Sequence, residues 1–184
     1  MIEEANDYYF PTITGVYLKA TRILITVATV FFTPLYLLFM QNLEWLPEVF
    51  EFVAVRDEVN IPLIFQFLIL ELSIDGLRLA AMNTPTMLST PLSVIAGIVM
   101  GEFSVQSGWF NSEVMLYMAF VAVANYTQPN FELGYALKFM RLLLLILTAC
   151  FNLYGFIIGC ILVLCFLVFN KTLSGRNYLN VKLN

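Results

Sequence analysis

Three ionisable side chains interrupt an apolar stretch in a pattern that could carry chemistry. Residues 67–80 read FLILELSIDGLRLA, with Glu71, Asp75 and Arg78 at i, i+4 and i+7, so a helix places all three on one face. Two carboxylates buried side by side resist carrying two charges, and with a guanidinium one turn on they could relay protons or line an ion path. The same stripe is inert if Asp75 pairs with Arg78 or if the helix lies flat at an interface with its charged side wet. The residues alone leave both readings open.

A second constellation, Glu102 and Gln106, lies one turn apart near the end of a helix expected over 91–106. In a ring of identical subunits, one acid per subunit at that level forms a carboxylate collar that favours cations. A helix ending near a membrane surface also carries a solvated Glu for no such reason. Upstream, Ser89, Ser93, Gly97 and Gly101 recur every four residues, and Gly155 and Gly159 form a shorter pair. Small residues at that spacing let another helix approach closely.

Other chemistries lack their residues. The chain has no His, and its cysteines, Cys150, Cys160 and Cys165, contain no CxxC pair, so neither metal binding nor thiol chemistry is expected. Phosphate-binding loops, dinucleotide fingerprints, nucleophile elbows and zinc signatures are missing from the sequence. No cofactor and no enzymatic activity are expected. The net charge of −4, concentrated in the acidic loop 44–58, argues against nucleic-acid binding.

The elements that must position these residues follow from composition. Of 184 residues, 60% are hydrophobic and only 12% charged, against about 25% charged in soluble domains. Charge-free runs occupy 23–43, 79–101, 114–131 and 142–170. About 20 helical residues cross the roughly 30 Å hydrocarbon layer, so the expected class is an all-α polytopic membrane protein. The first run follows an acidic lead and has no small-x-small cleavage site, so it is read as a retained span rather than a signal peptide. Pro34 interrupts its backbone hydrogen bonding.

Local signals divide the remainder. Thr90-Pro91 reads as a helix start, and Gly108 as the stop of that helix. Asn111-Ser112 caps a helix over 113–127 that ends before Pro129. A polar connector, QPNFELGYALKFMR, leads to the last run, 142–170. As one helix that run would measure about 43 Å, too long for the layer, and the expected break lies within 152–159.

Segment 61–81 decides the topology. Three charges at a helix centre cost roughly 7 to 10 kcal/mol on the insertion scale, and its Leu, Ile and Phe residues return only about 4 to 7. As a lone lipid-facing span it does not balance, so its charged face must meet protein or water. A full crossing gives five spans, with Lys138 and Arg141 on the side of Lys19 and Arg22. An amphipathic or re-entrant segment gives four, with the basic tail on that side too, an arrangement closer to the positive-inside rule. The expectation is one transmembrane domain over 1–184, with a polar lead 1–22 and a polar tail 171–184.

With these segments in order, PLIFQFLILELSIDGLRLAAMNTPT, then PLSVIAGIVMGEFSVQSG, then ANYTQPNFELGYALKFMRLLLL, the chain resembles the membrane domain of the spore germinant receptor A-subunit family over roughly residues 12 to 180. The Glu71/Asp75/Arg78 helix followed by Thr84-Pro85-Thr86 carries most of the likeness. The resemblance implies a protein of the spore inner membrane that forms ion-conducting homo-oligomers during germination, embedded in lipid beside other spore germination membrane proteins. It implies that helix 91–106 forms the inner wall of a ring, with Glu102 facing the path. The resemblance also implies Gln as the usual residue where this chain has Glu102, and a soluble N-terminal domain ahead of the part matched here. The rival readings are a non-conducting membrane scaffold and a small secondary transporter, although no inverted repeat is visible.

Overall fold

The computed structural model describes residues 12–54, 61–85, 91, 94–128 and 131–169. Among them every regular element is helical: α1 (Thr12–Gln41), two 3-10 turns (Leu43–Trp45 and Glu48–Val53), α2 (Leu63–Asn83), α3 (Val94–Gln106), α4 (Ser112–Tyr126) and Phe131–Phe169. The last contains a non-helical residue, Asn152, at φ 52, ψ −130, and is described below as α5 (131–151) and α6 (153–169). Two stretches, Ile13–Gln41 and Glu132–Phe166, are long and apolar enough to cross a membrane. Ser89, Ser93, Thr90, residues 1–11 of the polar lead and the tail 171–184 lie outside the described residues.

The chain forms two compact units, Met1–Leu38 with Val123–Asn184, and Phe39–Ala122. In the first, α5 presents Leu133, Leu137, Met140 and Leu144 at i, i+4, i+7 and i+11, one helical stripe. These pack with Val30 of α1 and Val163 of α6, flanked by Phe31, Phe156 and Cys160. Phe31 and Phe156 meet edge to face, centroids 6.5 Å apart, a favoured geometry for aromatic pairs.

Asn152 turns the chain back on itself. Its dihedrals approach the first corner of a type II′ turn, where φ is positive, a region Asn enters more readily than most residues. A Cβ built on Gly159 would lie 3.4 Å from the Cα of Leu144, and one on Gly155 would fall on the Leu147 carbonyl oxygen. In a straight helix those pairs would stand about 22 Å and 12 Å apart along the axis. α5 and α6 are therefore antiparallel legs of one hairpin, and the glycines bring them into contact. The expected break within 152–159 falls at its first residue.

In the second unit, α2 buries Gln66, Phe67, Leu70 and Glu71. α4 buries Val114, Met118 and Val121 at i, i+4 and i+7. α3 ends at Gly108, φ 70, where the Trp109 N–H donates to the Ser104 carbonyl and the Gly108 N–H to that of Val105. This is a Schellman closure, and its positive φ favours glycine. α4 begins at Ser112, with the Met115 N–H on the Asn111 carbonyl at 3.1 Å. The start matches the expectation to one residue, but Asn111 Oδ1 is buried without a hydrogen-bond partner and the Ser112 hydroxyl turns to Glu113, so neither makes the expected side-chain cap.

Two boundaries differ from the sequence reading. α1 starts by Thr12, so residues 12–22 of the expected polar lead are helical. The connector before the last run is also helical from Phe131, because Leu133 and Leu137 extend the buried stripe through it. Lys138 and Arg141 thus sit inside α5, 7% and 3% exposed, and do not belong in a count of loop charges.

The hairpin predicts a contrast between two glycines. Gly155→Ala places a methyl on backbone and should cost about 1 to 3 kcal/mol. Gly76→Ala on α2, with nothing within 4 Å, should gain about 0.5 to 1 kcal/mol of helix stability. Thermal unfolding of the two purified variants in detergent checks both signs.

Candidate functional site

The charged helix is sorted by depth. On α2 the residues Phe65, Ile69, Leu72 and Leu79 are 54%, 43%, 74% and 50% exposed, and their 4-3-7 spacing makes one outward stripe. Glu71 lies on the opposite side, 5% exposed, while Asp75 and Arg78 are half-buried. All three have interaction partners within the chain. The apolar face is thus outermost, and of the three ionisable groups Glu71 is the most enclosed.

Gln66, one turn before Leu70 on the buried face, was not singled out by the sequence reading. Its Nε2 donates to the Ile61 carbonyl at 2.7 Å and its Oε1 accepts the Asn111 N–H at 3.0 Å. One amide therefore ties the start of α2 to the cap of α4. Gln66 is 1% exposed and Asn111 3%, so the bond is shielded from water and losing it exposes no compensating solvent. A lone Gln in an apolar run signals a buried partner, but the partner, 45 residues away, is a property of the fold.

α3 carries Glu102 and Gln106, both exposed, with Gln106 Nε2 donating to Glu102 Oε1 at 3.1 Å. Val99–Phe103 is a π-helical turn with Glu102 inside it. Such widened turns occur mostly as local bulges and often at functional positions. Ser104 Oγ donates to the Val99 carbonyl, five residues back, at 3.1 Å, stabilising the widened turn. Nothing lies within 4 Å of a Cβ added at Gly97 or Gly101. The small-residue side of α3 is open, whereas Gly155 and Gly159 contact the chain's own α5.

The first unit holds a buried polar seam that the sequence reading also missed. Thr26, Thr29 and Thr33 of α1 are 8%, 0% and 1% exposed, spaced on one face. The Thr26 and Thr29 hydroxyls donate to carbonyls one turn back, of Arg22 and Ile25, each at 2.8 Å. Thr26 Oγ1 also accepts from Gln128 Nε2 at 3.1 Å. Arg141 Nη1 donates to the Thr29 carbonyl at 3.0 Å, a charge-assisted bond stronger than a neutral one. Among the described residues, no cluster of His, Cys, Asp or Glu is arranged to hold a metal ion.

The sequence that builds these helices has relatives. The family model of the Bacillus/Clostridium GerA spore germination protein matches residues 1–184. The chain belongs to the GerA family. It is 35% identical to Stage V sporulation protein AF of Bacillus subtilis (strain 168) over 158 residues, covering 86% of this chain and 32% of that protein. Spore germination protein A1 of the same organism is 26% identical over 161 residues, 86% of this chain and 33% of the relative. Spore germination protein GerQA of Bacillus cereus is 27% identical over 177 residues, 95% and 35%. This GerA-family chain thus spans about a third of the length of these curated relatives. No solved structure matches it.

The Gln66 bridge yields a stability prediction for the chain. Gln66→Leu keeps the bulk but strands the Asn111 N–H in an apolar interior, at about 1 to 3 kcal/mol. A lower unfolding temperature in detergent is expected, and Gln66→Glu, which keeps an acceptor for that N–H, should lose less if its carboxyl is protonated at low pH.

Proposed function

We propose that the chain is a multi-pass subunit in an oligomeric ion-conducting complex of the spore inner membrane. Its role is non-enzymatic, in germination, beside other germination membrane proteins. The observation that carries this reading is α3. None of its residues from 94 to 106 is buried, and Val94, Ile95, Ile98, Val99 and Phe103 are 45% to 59% exposed. An apolar helix with no covered face is stable where lipid or further copies of the chain surround it.

The open Gly97/Gly101 side gives copies a surface for close approach. The Glu102–Gln106 pair on the π turn then sets one carboxylate per subunit at one level of the assembly, and a ring of acids favours cations. Family membership supports the germination setting, since the relatives' names record sporulation and germination. Glu71, Asp75 and Arg78 serve, in this reading, as a sequestered charge cluster that is compatible with a relay.

Two substitutions test the proposal in liposomes reconstituted with the purified protein. Glu102→Gln should move the reversal potential in a potassium chloride gradient toward zero, and an unchanged value removes the collar. Gly97→Leu should shift the complex to smaller species on native gels, with loss of flux. A wild-type protein that assembles yet passes no ions would make it a scaffold instead.

A further inference from the structure

The hairpin bends inside the most apolar part of the chain, and its dimensions are those of a bilayer. We propose, on the membrane reading above, that the final apolar run crosses the membrane twice. Its entry near Phe131 and exit near Phe169 share one face, and the Asn152 turn reaches the other.

Length is the first argument. α5 and α6, residues 131–151 and 153–169, measure about 31 Å and 25 Å, against a hydrocarbon layer of about 30 Å. Each leg suits one crossing, whereas the whole run as one straight helix would overshoot by far. α6 contains no charged residue.

The turn's surroundings decide between a full crossing and a re-entrant loop. A helix end leaves its last four carbonyls without intrahelical donors, and lipid cannot satisfy them. A turn at mid-membrane depth therefore has to be wrapped in protein. Here Phe151, Leu153 and Tyr154 are 61%, 36% and 76% exposed, so the chain itself does not wrap the turn, which places it at the water boundary rather than at mid-depth. Tyr154 is a residue type enriched at membrane–water boundaries.

The charges on the first leg agree with that depth. Lys138 and Arg141 fall about 21 Å and 17 Å from Asn152 along α5, near the middle of the layer. They are 7% and 3% exposed, and Arg141 is held on the Thr29 carbonyl, as charges at that depth require. The inner side of α6, Gly155, Gly159 and Val163, is buried. Its other sides, Ile157, Ile158, Ile161 and Leu164, are 47% to 58% exposed, as a lipid-facing leg demands. The Gly155/Gly159 pair thereby acts within the subunit, bringing the two legs together.

The test uses the full chain with Cys150, Cys160 and Cys165 replaced by Ser. Nitroxides on Glu132→Cys/Phe166→Cys in lipid nanodiscs, read by pulsed electron paramagnetic resonance, should lie under about 25 Å apart in a hairpin. A straight helix puts them about 51 Å apart. Membrane-impermeant maleimide applied to sealed vesicles should label Glu132→Cys and Phe169→Cys from one side and Tyr154→Cys from the other. A distance near 50 Å, opposite sidedness for 132 and 169, or a 154 position shielded from both sides overturns the proposal. Neither readout depends on ion flux, so loss of the conducting reading leaves the result standing.

Discussion

The arrangement depends on one constraint: an apolar medium offers nothing to a charge or an unpaired backbone group. With 60% of its residues hydrophobic, the chain has few polar groups and must dispose of each. Glu71, Lys138 and Arg141 are all 7% exposed or less, and each has partners within the chain. The outward faces of α2 and α6 are apolar. This is the reverse of a soluble protein's sorting, in which charged groups are the last to be buried.

Backbone polar groups meet the same constraint and explain where the helices stop. The Schellman closure at Gly108 returns two N–H groups to late carbonyls of α3. The Gln66 amide takes up the Asn111 N–H at the head of α4. On α1, Pro34 cannot donate to the Val30 carbonyl, and the neighbouring Thr29 carbonyl gains a guanidinium donor from Arg141. The buried Thr26, Thr29 and Thr148 settle their polarity locally, their hydroxyls turned onto the carbonyls of Arg22, Ile25 and Leu144 one turn back in their own helices.

Much of this was legible in the sequence, for identifiable reasons. Helical class followed from long charge-free runs, and the ends at Gly108 and Ser112 followed from local stop and cap signals. The shared face of Glu71, Asp75 and Arg78 followed from periodicity, whereas the energy imbalance of segment 61–81 required only that it meet protein or water; that Glu71 is enclosed and Asp75 and Arg78 are half-buried is a property of the fold. Contacts far apart in sequence were not legible: Gln66 with Asn111, and Arg141 with Thr29, lie 45 and 112 residues apart. The connector misled because Lys138 and Arg141 made it look polar, while its Leu133 and Leu137 already carried the core stripe. The π turn at Val99–Phe103 has no compositional signature, since it changes hydrogen-bond register without changing residue type.

Function enters through what is left uncovered. α3 has no buried residue over 94–106, yet it bears the glycine side and the Glu102–Gln106 pair. α2 is oriented with Glu71 inward and the apolar stripe Phe65, Ile69, Leu72 and Leu79 outward; under the proposed membrane setting that stripe faces lipid. The direct measurement is a nitroxide scan of residues 65–79 in lipid nanodiscs, comparing collisions with lipid-soluble oxygen against a water-soluble nickel chelate. Oxygen accessibility should peak at Phe65, Ile69, Leu72 and Leu79 and fall to a minimum for both reagents at Gln66, Leu70 and Glu71. Oxygen accessibility at Glu71 equal to that at Leu72 would contradict it.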